Sequence, residues 1–173
     1  MQIAIVTVSD RASCGEYDDL SGPLIETWLA RAITSPYKLT KRIIPDGFVS
    51  VRDELIDLCD QHRFDLILTT GGTGPAARDE TPEAMRAVLI KELPGFGELL
   101  RRVSLDQTPT AILSRQTAGT RGHSLIINLP GNPASIQVCL DTIFSAVPYC
   151  LDLIGAGRIE TDPNIIKAHR PAR

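Results

Sequence analysis

Three glycines fall within four positions in the stretch Thr69-Thr70-Gly71-Gly72-Thr73-Gly74-Pro75. Glycine lets backbone N–H groups come close to an anion, and threonine hydroxyls add donors, so this loop is a candidate phosphate cradle. It follows a short apolar run and precedes a helix-start pattern, Thr81-Pro82-Glu83, a setting in which such cradles occur. Neither GxxxxGK[ST] nor GxGxxG is present, and no lysine follows the glycines. A lone GGxG is as readily a tight turn as an anion site. Arg78, just beyond it, and a second unusual loop, LPGNP at residues 129–133, shift the balance towards a ligand.

Two aspartates bear on the same chemistry. Asp46 stands before Gly47, and Asp79 stands in RDETPE. Taken singly, each reads as a turn former or a solvated loop charge. Facing one crevice, they would supply the hard oxygen ligands that Mg²⁺ on a nucleotide needs. One or two carboxylates with a divalent ion and substrate phosphates is the usual arrangement for phosphoryl or nucleotidyl transfer. Asn132-Pro133 is equally a capped helix start and a binding turn. Arg115 and Arg121, flanking Gly119, could hold an anionic substrate, although singly each reads better as a solvated charge.

The elements that must position these residues follow from periodicity. Residues 3–8, 39–44, 64–68 and 124–129 are short apolar runs ending in polar or turn residues, and are read as strands. Helices are expected after Gly22-Pro23, from a Ser50 cap through Val51, Leu55 and Leu58, and from a Thr81 cap. Others are expected over residues 96–103, beyond Pro133 with Ile136, Leu140 and Ile143 on one face, and after Pro148. Strands alternating with helices imply one α/β domain of three layers, with a mostly parallel sheet and helices on both faces. Right-handed crossovers would then bring Ser9-Asp10-Arg11, Asp46-Gly47, the glycine loop and LPGNP to one sheet edge, where ligands bind in such folds.

Composition sets outer limits. A net charge of -3 argues against a chain built to coat nucleic acid, without excluding a local arginine cluster. No apolar stretch approaches the roughly 20 residues needed to span a bilayer, and IAIVTVSD near Met1 has no basic leader, so a cytoplasmic protein is expected. The four cysteines form no CxxC pair; Cys59, Cys139 and Cys150 read as reduced core thiols. The domain is taken as residues 1–160, with a tail over 161–173.

In order, VSDRAS, IIPD, TTGGTGPAARDETPEA and LPGNPAS resemble the molybdopterin adenylyltransferases of the MogA type. The same fold occurs in the corresponding domain of gephyrin and of plant molybdenum-cofactor proteins. ELPGFGELLR, PTAILSRQTAG and SAVPYC extend the likeness over nearly the whole chain, from Ile3 to about Gly155. The resemblance implies a molybdopterin-binding, MogA-like fold. It also implies a reaction, in which ATP and molybdopterin give adenylylated molybdopterin and pyrophosphate with Mg²⁺. It implies that Asp46 and Asp79 are the essential, metal-holding aspartates. Thr70, Gly71, Gly72, Thr73 and Gly74 would then surround phosphates, with Arg78 and the metal supplying the positive charge that a lysine gives elsewhere. Ser9, Asp10, Ser114, Pro130, Gly131, Asn132 and Pro133 would form pterin or nucleotide walls. A homotrimer and hand-over of product to a molybdate-inserting enzyme are further implications. The alternatives are a MoaB-like relative and a non-catalytic carrier of molybdopterin or nucleotide.

Overall fold

The apolar runs become strands because layers of helix cover both of their faces. The computed structural model describes residues 1–172. Its strands are β1 (Gln2–Val8), β2 (Lys38–Ile44), β3 (Leu66–Thr70), β4 (Lys91–Glu92), β5 (Ala118–Arg121) and β6 (Ser124–Leu129). The helices are α1 (Asp10–Ser13), α2 (Ser21–Ala32), α3 (Phe48–Ile56), α4 (Thr81–Val88), α5 (Pro94–Leu105), α6 (Pro133–Ile143) and α7 (Val147–Leu153). A π-helical turn at Asp57–Gln61 prolongs α3, and a 3-10 turn at Pro109–Leu113 follows α5.

The strands form one sheet in the order β2-β1-β3-β6-β5-β4. The first four are parallel; β5 and β4 extend the sheet antiparallel beyond β6. Because side chains alternate along a strand, each central strand serves two cores. Ile3, Ile5, Leu66, Leu68, Leu125 and Ile127 face α2, α6 and α7, where they meet Trp28, Leu29, Leu140 and Phe144. Ala4, Val6, Ile67 and Ile126 face α3 and α4, where they meet Val51, Leu55, Met85 and Val88. Full burial of each Ile or Leu side chain contributes roughly 1.5–3 kcal/mol, so the two cores fix the register of the sheet. The single α/β domain of three layers is therefore as the alternation required.

Local details differ from expectation. Ser50 does not cap α3, which starts two residues earlier with Gly47 at its N-cap position. The N–H of Phe48 instead donates to Glu80 Oε2 from another loop, at 2.9 Å. Thr81 is likewise the first residue of α4 rather than its cap, which is Glu80. β3 runs on to Thr70 because Thr69 and Thr70 are buried, Thr69 Oγ1 accepting a bond from Asn128 Nδ2 at 2.9 Å. Within residues 161–172, Ile165 and Ile166 pack on the first core, and Arg170 Nε donates to Asp152 at 2.6 Å. No single described helix is long and apolar enough to cross a membrane.

Candidate active site

Parallel register places Val8 beside Ile44, Thr7 beside Thr70 and Thr70 beside Leu129, so β1, β2, β3 and β6 end together. The four loops singled out in the sequence leave the sheet along this edge. The first two are bound to each other: Asp10 N–H donates to Asp46 Oδ2 at 2.9 Å, and Asp46 N–H donates to Asp10 Oδ1 at 3.0 Å. Arg78 Nη1 reaches Asp10 Oδ2 at 2.7 Å and ties the Asp79 loop to this pair. Ser9 turns its hydroxyl to the N–H of Ala12, capping α1.

The glycine loop is shaped by what surrounds it. Gly71 (φ +103°) and Gly72 (φ +61°) adopt left-handed conformations that disfavour other residues. A methyl group on Gly71 would lie 2.2 Å from Val8 O, so the loop passes over the end of β1 with no room for a side chain. Thr70 Oγ1 donates to Pro130 O at 2.7 Å, and Ser21 Oγ donates to Gly131 O at 3.1 Å; these bonds seat LPGNP beside the glycines. Asn132 Oδ1 accepts from Ala134 N–H and caps α6, with Pro133 as the first helical residue.

Both candidate carboxylates lie against this loop, two positions apart. Asp46 Oδ1 is 3.5 Å from where a methyl on Gly72 would stand, and Asp79 Oδ2 is 2.7 Å from the equivalent point on Gly74. One oxygen of each is engaged by a backbone N–H, Asp46 Oδ2 by Asp10 and Asp79 Oδ2 by Ala76. Among the described residues no group of three or more His, Cys, Asp or Glu is placed to hold a metal. The protein thus offers a pair of carboxylates, which suits Mg²⁺ better than a cation needing a full protein cage, since Mg²⁺ keeps waters and takes substrate phosphates.

Two concavities flank the loops. One, of about 200 Å³, is bounded by Ser9, Arg11, Asp19, Ser21, Thr70 and Gly71. The other, of about 210 Å³, is bounded by Thr73, Gly74, Thr110, Ser114, Gln116, Pro130 and Asn132. Gly131 borders both, and a methyl on it would stand 3.2 Å from Gly71 Cα. In the second concavity Ser114 Oγ and both amide atoms of Gln116 are buried without a hydrogen-bond partner, the condition of polar groups that await a ligand or water.

The structure separates the two arginines that the sequence had grouped. Arg121 lies at the opposite, amino-terminal edge of β6, beside Ser124, where it pairs with Asp60 and donates to Val88 O. That bond holds the Asp60 carboxyl below its ordinary value, and Arg121 has no part in the site. Arg115 is at the site but is not a free cation: its Nε donates to Gly74 O at 3.0 Å, and its other nitrogens bond Glu83 and Asp79 O. Sequence reasoning missed Asp19, which accepts from Thr7 Oγ1 at 2.8 Å and from Gly22 N–H at 2.9 Å, and so fixes the wall of the first concavity. It also missed Gln116 and Glu80. Gly47 before α3 was the one available signal for Glu80, since a glycine cap leaves a helix donor for another residue to satisfy.

Comparison with known proteins gives this geometry its context. Residues 4–149 match the family described as a probable molybdopterin binding domain. A molybdopterin adenylyltransferase of Helicobacter pylori (strain J99 / ATCC 700824) is 50% identical over 171 residues, covering 99% of this chain and 97% of the relative. The Escherichia coli (strain K12) molybdopterin adenylyltransferase is 45% identical over 183 residues, covering 99% and 94%. Among solved structures, the molybdopterin biosynthesis enzyme MoaB of Thermus thermophilus superposes with a TM-score of 0.83 at 39% identity, covering 92% of this chain and 99% of that one. The Mog protein of Mycobacterium ulcerans superposes with a TM-score of 0.80 at 38% identity, covering 88% and 98%. With the glycine loop, the paired aspartates and LPGNP gathered on one sheet edge, the chain belongs to the molybdopterin-binding domain family and, within it, to the molybdopterin adenylyltransferases.

Proposed function

We propose that this protein transfers AMP from ATP to the terminal phosphate of molybdopterin, using Mg²⁺ and releasing pyrophosphate. A phosphate oxygen of molybdopterin forms a bond to the α-phosphorus of ATP, and the bond from that phosphorus to the bridging oxygen breaks, the electron pair leaving on pyrophosphate. The barrier is chiefly that of holding two polyanions in line with their charge neutralised. The observation that carries the reading is the placement of Asp46 and Asp79 against one glycine loop, which borders one concavity at Gly71 and the other at Thr73 and Gly74.

Each residue then has a task. Among the described residues the N–H groups of Gly72, Thr73 and Gly74 take no hydrogen-bond partner, which leaves them to bind phosphate oxygens. Thr70 and the LPGNP residues, Pro130, Gly131, Asn132 and Pro133, hold the loop and separate the two concavities. Ser9 borders one concavity and Ser114 the other, while Arg78 stands exposed and paired with Asp10, which in turn is bonded to Asp46. Asp46 and Asp79 would hold Mg²⁺, which when bound neutralises phosphate charge between them. Two carboxylates facing a triphosphate would otherwise repel it.

A MoaB-like or carrier role is the second reading, favoured by the likeness to the Thermus thermophilus MoaB structure. Retention of both aspartates with a formed glycine loop favours the enzyme. Purified protein given Mg²⁺, ATP and molybdopterin should release pyrophosphate; binding of molybdopterin without release would establish the carrier instead. The same proposal includes a homotrimer in the cytoplasm that delivers its product to a molybdate-inserting enzyme. Light scattering on the eluted protein tests the trimer, and a coupled assay with such an enzyme tests the delivery.

A further inference from the structure

We infer that Arg115 is the positioning residue that keeps the glycine loop and Asp79 in working shape, acting through backbone carbonyls rather than on substrate. This rests on the site described above as the place of AMP transfer. The segment from Gly71 to Glu80 spans ten residues between β3 and α4 and has little packing of its own: Pro75, Ala76, Ala77 and Arg78 are exposed. Arg115 meets it at three points and α4 at a fourth. Its backbone N–H donates to Thr73 O at 2.9 Å, its Nε donates to Gly74 O at 3.0 Å, and its terminal nitrogens bond Asp79 O and the Glu83 carboxylate. Both ends of the loop, and the first turns of α4, are thereby held to one guanidinium.

The orientation has a chemical result. In a planar trans peptide the carbonyl and the following N–H point in opposite directions. The Arg115 main-chain N–H draws Thr73 C=O towards it and so turns Gly74 N–H away, without a partner among the described residues, while the guanidinium holds the next carbonyl, Gly74 C=O, and so keeps that turn in place. Fixing Asp79 C=O likewise anchors the backbone from which the Asp79 carboxylate projects. The guanidinium is planar with donors in a fixed fork, so it can span several carbonyls at once, which the single ammonium of lysine cannot. Glu83 balances the charge, and all three guanidinium nitrogens already donate to protein acceptors.

The experiment compares wild type with Arg115→Ala and Arg115→Lys. Amide hydrogen exchange on the ligand-free proteins should quicken by about 100-fold in both variants at Ala76, Asp79 and Glu80, whose N–H groups are bonded within the loop, as loss of charge-assisted bonds implies, with β1, β3 and α6 unchanged. AMP transfer should fall by about 10-fold or more in kcat, and millimolar guanidinium should restore part of it in Arg115→Ala but not in Arg115→Lys. Unchanged exchange at Ala76, Asp79 and Glu80 overturns the inference. So does a loss confined to the KM for ATP in Arg115→Ala and repaired in Arg115→Lys, since that pattern marks a direct phosphate contact. Should wild type transfer no AMP, the proposed function fails while the exchange data still decide the role of Arg115.

Discussion

Asp10 and Asp46 cap each other, each carboxylate accepting the other's backbone N–H, at 2.9 and 3.0 Å. The ends of β1 and β2 are locked together by the same side chain that is proposed to hold the metal. Asp46 thus has one oxygen for architecture and leaves the other for the proposed metal.

Substitution should divide those two duties. An amide keeps an acceptor for the Asp10 N–H while losing the negative charge, so Asp46→Asn should fold with a melting temperature close to wild type. AMP transfer should fall at least about 100-fold, since a hard cation then loses one of its two ionised ligands. Asp79→Asn should abolish turnover with the fold and molybdopterin binding retained. Pyrophosphate release and calorimetric binding are the measurements; normal turnover in Asp79→Asn would remove that residue from the metal site.

Glycine substitutions should rank by surroundings. Gly71→Ala forces a methyl to 2.2 Å from Val8 O at a positive φ, and should cost about 1–3 kcal/mol of stability. Gly95, in the first turn of α5, has nothing within 4 Å of the same position. Gly95→Ala should therefore raise stability, by up to about 1 kcal/mol, through helix propensity. Urea denaturation of the two variants reads both effects.

Glu54 should make stability depend on pH in a defined sense. Burial raises its carboxyl above the ordinary value, against the lowering effect of Arg42, whose Nε lies 3.7 Å away. A group with its folded pKa raised stabilises most below the unfolded value, about pH 4, and loses that contribution as pH rises through the folded value. Relative to wild type, Glu54→Gln should therefore gain stability between about pH 4 and pH 7. A relative loss over that window, in thermal melts, would mean that the Arg42 pair outweighs burial.

The cysteines should react unequally. Cys14 is exposed, whereas Cys59 and Cys139 are buried, and burial pushes the Cys59 thiol up to about 11. At about pH 8 a maleimide should modify Cys14 fastest, and Cys14→Ser should remove the rapid phase. Cys59 and Cys139 should label only when the chain unfolds.

Much of this fold could be read in the sequence because its apolar runs answer to two covered sheet faces. Ile3, Ile5 and Leu68 on one face, with Ala4, Val6 and Ile67 on the other, leave few alternatives to a parallel sheet. The ligand edge followed, since parallel strands end together. What was hidden depends on contacts distant in sequence. Glu80 caps α3 from 32 residues away, and Arg115 clamps a loop that precedes it by 41 residues at Gly74. Arg121 looked equivalent to Arg115 because a two-strand reversal at Gly122 leaves no mark in spacing, although it carries the side chain to the far edge of the sheet.

The outermost strand, β2, carries Lys38, Lys41 and Arg42 on a largely exposed surface, and the opposite border is only the two residues of β4. Like charges meeting edge to edge repel, and a two-residue border gives an incoming strand almost nothing to pair with. Growth of the sheet from one molecule into the next is thus discouraged at both borders. Helix and loop faces are thereby left as the easier surfaces on which folded copies of this chain could meet.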